Sequence, residues 1–118
     1  MDILQYQKAA VRTLAVLDTD QKNSLHMILG LSTEVGELAD AHKRELAYNK
    51  PIDKVNTKEE IGDILWYLVN YCTLNSIDIE DAMQKNIEKL YVRFPEKFDS
   101  DKALVRDLGL ERKTFQPY

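Results

Sequence analysis

Cysteine is nearly missing from this chain of 118 residues: Cys72 stands alone, so no internal disulfide can form. The same scarcity counts against a structural zinc site. Glycine and proline are scarce as well, at four and three, which suits long helices better than a turn-rich β fold. No apolar run approaches the roughly 20 residues that a bilayer-spanning helix needs. The opening MDILQYQKAA lacks the basic-then-apolar layout of a signal peptide, so a cytoplasmic location and no membrane partner are expected. Positive charge is not in excess either. The formal net charge is −4, which gives no support for binding a nucleic-acid polymer. What is present is 44% hydrophobic and 31% charged residues, the composition of a soluble globular protein of one domain, residues 1–118.

Apolar spacing predicts four main helices. The first spans residues 2–17, capped by Asp2, with Ile3, Tyr6, Ala10, Leu14 and Leu17 at helical spacing. The polar segment 18–22 reads as a connection. The second helix runs from residue 23 or 24 to 48 and ends before Pro51, since the residue preceding proline avoids the α region. Gly30 and Gly36 inside it are expected to mark close packing against another backbone. Thr57 and Glu60 have the spacing of a capping box opening the third helix, which runs to residue 75. Asp78 caps the fourth, which stops near Phe94 before Pro95. In the tail, 99–118, a short helix over 102–108 with Gly109 as its stop is expected. Short connections between long helices favour antiparallel neighbours. The predicted fold is all-α, an antiparallel four-helix bundle-like unit completed by oligomerisation.

Two acidic pairs carry the chemistry. Glu34 and Glu37 lie three residues apart on the second helix, and Glu60 and Asp63 repeat that spacing on the third. At about 100° per residue, Met27, Leu31, Leu38 and Ala41 fall within about 60° of Glu34, while Ser32, Gly36 and Lys43 fall opposite. Ile64, Tyr67, Tyr71 and Leu74 cluster in the same way around Glu60 and Asp63. One such pair alone is common on solvated helices. Two pairs turned toward apolar faces are costly unless something cancels their charge. Hard oxygen ligands without histidine or cysteine favour Mg²⁺ or Mn²⁺ over zinc or iron.

The fourth helix offers a counterpart. Asn86, Lys89 and Arg93 fall within about 60° of one another, on the side of Ile79, Met83 and Leu90. Lysine supplies a point charge and arginine a planar fork, the two modes by which side chains hold phosphate. Set against this is the plain reading, in which both cations extend from the edge of an apolar stripe. His26 and His42 fit no motif and read as surface or edge histidines, while Cys72 reads as a small packed residue.

Three stretches resemble the MazG-like nucleotide pyrophosphohydrolases of the all-α NTP pyrophosphatase superfamily. They are LSTEVGEL at 31–38, EEIGDILWYL at 59–68 and KNIEKLYVRFPEKF at 85–98. The likeness spans residues 23–98 and departs at Thr33, where the family often has a glutamate. It implies hydrolysis of a nucleoside or deoxynucleoside triphosphate to a monophosphate and pyrophosphate. Mg²⁺ or Mn²⁺ would be held by Glu34, Glu37, Glu60 and Asp63, with Glu34 or Glu37 activating water. Lys89, Arg93 and Asn86 would bind the nucleotide, with loop Lys50 and Lys54 and aromatic Trp66 and Tyr67 as further contacts. A homodimer or homotetramer is implied too, and the first helix, Phe115 and Tyr118 offer apolar groups to a second copy. Two alternatives stand beside it: phosphoribosyl-ATP pyrophosphohydrolysis, and a non-catalytic helical module that binds a nucleotide or a protein.

Overall fold

The computed structural model describes residues 1–117, and every element among them is helical. Tyr118 lies outside the described residues. The chain forms two compact units, Met1–Ile77 and the residues from Asp78 on.

The first unit holds α1 (Ile3–Val11), α2 (Asp20–Tyr48) and α3 (Lys54–Leu74). Asp2 and Gln5 cap α1 reciprocally, each side chain accepting the other's backbone N–H at 2.8 Å. The helix stops at Val11, six residues before the expected end at 17. At that end the Thr13 hydroxyl donates to the Ala10 carbonyl at 3.3 Å, and further on Asn23, buried, takes the Leu17 N–H on its Oδ1 at 2.6 Å. The chain ahead of α2 is thereby fixed in a non-helical path. Thr19 then caps α2 by accepting the Lys22 N–H, so the helix absorbs most of the expected connection.

At its other end α2 closes on Asn49 in the left-handed region, with φ 53°, a conformation asparagine tolerates better than most residues. Asp53 caps α3, accepting the Val55 and Asn56 N–H groups at 2.9 and 3.2 Å. The expected Thr57–Glu60 capping box is therefore not formed. Thr57 sits inside the first turn, its hydroxyl donating to the Asp53 carbonyl at 3.0 Å. An earlier cap has the consequence that Glu60 is released from any capping duty.

Helices α2 and α3 run antiparallel. Ser24 bonds Asn75, Gly30 meets Tyr67, and Glu37 lies beside Glu60, so numbers rise along one helix as they fall along the other. Gly30 marks a close approach, since a Cβ there would enter the Tyr67 ring. Gly30 thus packs closely, but against a side-chain ring where a backbone was expected, and Gly36 faces open space. Helix α1 and the turn after it meet α3 through polar bonds: Trp66 Nε1 donates to Thr13 Oγ1 at 3.0 Å, Tyr6 Oη to the Gly62 carbonyl at 3.2 Å, and Gln7 to Thr73 at 2.9 Å. Ala10, Met27, Val69 and Cys72 fill the space between. His26 is half-buried and edge-on to Tyr67, at the edge position that was one of the two expected of it.

The second unit begins with α4 (Ile79–Arg93), capped as expected by Asp78. Two short helices follow, α5 (Ser100–Leu104) and α6 (Leu108–Lys113), in place of the single tail helix expected over 102–108. Asp107 caps α6 through the Leu110 N–H at 2.9 Å, which interrupts the helix where continuity was expected and places Gly109 inside α6 instead of at a stop. Helix α6 packs on α4.

Candidate metal centre

Glu34 and Glu37 stand one turn apart on α2 and face Glu60 on α3, because the antiparallel pairing brings the two motifs level. One carboxylate oxygen from each of the three lies within 4.8 Å of the others. Glu37 is exposed, Glu34 half-buried and Glu60 buried. Asp63 is exposed and lies beside this group, close enough for its charge to act on both Glu37 and Glu60. Its field also reaches Tyr6, whose phenol is pushed up mainly by burial and then by Asp63.

The three carboxylates disturb one another. Glu37 holds its proton above the ordinary carboxylate range, first because it lies against Glu60 close enough to share a proton, then by charge repulsion. Glu60 is raised as well, first through the same kind of sharing with Glu34 and then by burial. Its Oε2 is buried without any hydrogen-bond partner. A buried carboxylate oxygen left unpaired among other carboxylates is costly, and a divalent cation removes that cost with the oxygen ligands Mg²⁺ prefers. The donor set therefore fits a hard divalent metal.

A cavity of about 590 Å³ opens at this group, lined by Thr33, Glu37, Asp40, Arg44, Asn56 and Glu60, among others. Thr33, expected off the core face, is exposed but lines this cavity, its hydroxyl donating to the Gly30 carbonyl at 2.8 Å. Arg44 and Asn56 were not singled out in the sequence. Both also line a neighbouring cavity of about 310 Å³ with Lys50 and Asp53. Lys50 thus reaches a cleft, whereas Lys54, the first residue of α3, is exposed and lines neither of these two cavities. Asp40 is already engaged, by Lys43 at 3.3 Å and Arg44 at 2.8 Å.

A family model for the MazG nucleotide pyrophosphohydrolase domain matches residues 22–98. The chain belongs to that family. The match runs through α2, α3 and α4 and contains both acidic pairs; it is the basis for assigning hydrolysis of a phosphoanhydride bond in a nucleotide. No curated protein and no solved structure matches the chain significantly.

The remaining sequence candidates fall at different places within this MazG domain. Tyr67 is spent on packing, with its ring against Gly30 and edge-on to Trp66 at 5.0 Å. On α4 the expected face is found in part: Ile79 is buried and Lys89, Leu90 and Arg93 are half-buried, whereas Met83 and Asn86 are exposed. The packing of α6 covers Lys89 and Arg93. Arg93 gives Nε and Nη2 to the two oxygens of Glu111 at 2.9 and 3.1 Å, and Lys89 lies 5.6 Å from the Phe115 ring centre. Glu111 had no signal in the sequence, since a lone glutamate in a polar tail has no period to reveal it.

Proposed function

We propose that the chain hydrolyses nucleoside or deoxynucleoside triphosphates between the α and β phosphorus atoms, giving a monophosphate and pyrophosphate, with Mg²⁺ or Mn²⁺ held by Glu34, Glu37, Glu60 and Asp63. One observation carries this reading: three carboxylates from two helices converge within 4.8 Å, and the buried oxygen of one has no partner. When bound, the cation offsets phosphate charge and polarises a phosphoryl oxygen. The side chains do the rest. Glu34 or Glu37 orients the attacking water and accepts its proton as the new P–O bond forms and the anhydride bond breaks. Arg44 and Lys50, on the clefts beside the carboxylates, supply cations to phosphate oxygens. Lys89 and Arg93 bind phosphate and Asn86 the sugar or base. Lys54, on the exposed first turn of α3, is a phosphate contact only through movement of the loop before it.

The family match runs from the first compact unit into the second, which supports reading residues 1–118 as one functional domain with its core at 23–98. Exposed apolar residues support a homodimer or homotetramer. On α2, Leu25, Ile28, Leu29 and Val35 form a helical stripe, each about half exposed. No helix among the described residues is long and apolar enough to cross a membrane, and a cytoplasmic location is part of the proposal.

The test is a panel of ribo- and deoxyribonucleoside triphosphates with Mg²⁺ or Mn²⁺ and product analysis. Pyrophosphate and a monophosphate are expected from at least one member. Orthophosphate as the first product, or no release from any member at high enzyme concentration, contradicts the reading.

A further inference from the structure

Residues beyond the family match build a cluster of their own on α4. Glu111 of α6 is 3% exposed, and its carboxylate is shared by two guanidinium groups. Arg93 donates from Nε and Nη2 at 2.9 and 3.1 Å, and Arg106 donates from Nε to the same Oε1 at 3.3 Å and from Nη2 to Oε2 at 2.6 Å. Both arginines therefore dock by one edge. A guanidinium carries five N–H donors, so each keeps donors on its other edge. One carboxylate against two guanidiniums also leaves the cluster with a surplus positive charge, which Arg106, its side chain 37% exposed, carries to the surface where an anion can meet it.

A cavity of about 360 Å³ lies where that surplus is expressed, lined by Lys89, Arg106, Leu108, Glu111, Arg112 and Phe115. The Lys89 ammonium has the Phe115 ring beside it and no carboxylate among the described residues. Arg112 is exposed and makes no ion pair among them. A purely structural clasp explains why Arg93 and Arg106 meet Glu111. It does not explain why two further unpaired cations open on the same cavity.

We infer that this cavity is a phosphate-chain site, in which Lys89, Arg106 and Arg112 hold the oxygens of a pyrophosphate group and Glu111 is the positioning residue that sets the arginine edges. The ligand is either free pyrophosphate or the polyphosphate of a nucleotide. The inference deepens the proposed hydrolase and shares Lys89 and Arg93 with it, but needs neither the carboxylate group nor a metal.

The experiment is calorimetric titration of the full chain, with EDTA present, using inorganic pyrophosphate, a nucleoside triphosphate, a nucleoside monophosphate and a nucleoside. Pyrophosphate and the triphosphate are expected to bind, and the nucleoside is not. Arg112→Gln removes a side chain that holds nothing else in place, and is expected to weaken binding about tenfold, the usual scale for losing a hydrogen bond to a charged group. Arg106→Lys keeps the charge but loses the planar fork, and is expected to weaken it as well. Glu111→Gln discriminates most sharply. Simple charge arithmetic has it bind pyrophosphate more tightly, whereas loss of positioning makes binding weaker with α6 amide protection in the free protein retained. Equal affinity for pyrophosphate and the triphosphate assigns the site to the free anion, and tighter binding of the triphosphate assigns it to the nucleotide. No pyrophosphate binding, unchanged affinity in Arg112→Gln, or tighter binding in Glu111→Gln overturns the inference. Hydrolysis assays on the same proteins keep the two readings apart. Binding without hydrolysis of any nucleotide sinks the hydrolase and leaves the site, while hydrolysis with unaltered pyrophosphate binding in Arg112→Gln does the reverse.

Discussion

Glu60 and Glu37 face each other from antiparallel helices close enough to share a proton, and both carboxyls hold protons above the ordinary carboxylate range. A carboxyl whose affinity for protons is higher in the folded than in the unfolded chain costs stability once both forms are ionised. For the metal-free protein the penalty is absent below the unfolded value, near 4.5, and grows as pH rises through the raised folded values. Scanning calorimetry in EDTA should therefore find this contribution lowering the melting temperature from mildly acid to neutral pH. Mg²⁺ at neutral pH should restore it, adding about 2.7 kcal/mol at a hundredfold excess over the dissociation constant. Glu60→Gln should flatten the pH dependence and reduce the Mg²⁺ effect.

The close approach at Gly30 gives a prediction independent of charge. Gly30→Ala places a Cβ in the Tyr67 ring and should destabilise the fold by about 1–3 kcal/mol, the usual range for overpacking. Gly36→Ala meets open space and should stabilise the same helix by about 0.5–1 kcal/mol. Urea unfolding of the two variants checks both signs.

These two glycines also show what the sequence could and could not reveal. Helical period alone placed Glu34, Glu37, Glu60 and Asp63 on or beside the apolar stripes; Glu60 is buried and Glu34 half-buried, while Glu37 and Asp63 are exposed. The buried Met27 and half-buried Leu31, Leu38 and Ala41 lie where that period put them. Period says nothing about which glycine meets a neighbour, since that depends on the partner's side chain. The early end of α1 was hidden for a related reason: Asn23 holds Leu17 outside any helix by a bond that is not periodic. The Arg93–Glu111–Arg106 cluster was the least legible feature, because it joins residues 18 and 5 positions apart through tertiary packing of a polar tail.

At Glu111 the sign of the pH effect is opposite. Its two arginines hold the carboxyl down to about 2, the hydrogen bond from Arg93 being the largest cause. The stability it contributes is complete above the ordinary value of 4.5 and is lost as pH falls through about 2. Amide resonances of α6 should remain native-like at pH 4.5 and shift toward disorder near pH 2. Glu111→Gln keeps an acceptor oxygen for the arginines, so α6 should stay native-like at neutral pH while this dependence on pH is lost.

The exposed stripe on α2 calls for a partner copy. Sedimentation velocity should find a dimer or tetramer at micromolar concentration, and Leu29→Glu, placed at a residue 55% exposed, should shift it toward monomer. A wild-type monomer contradicts the oligomeric reading.

The central claim is that the three converging carboxylates hold the metal that the hydrolase needs. Its most direct measurement is metal-dependent pyrophosphate release by wild type and Glu60→Gln, on whichever nucleoside triphosphate the panel identifies. Release that follows Mg²⁺ or Mn²⁺ concentration, stops in EDTA and falls by about a hundredfold or more in Glu60→Gln is the predicted result. Release that persists in EDTA, or that Glu60→Gln leaves unchanged, contradicts it.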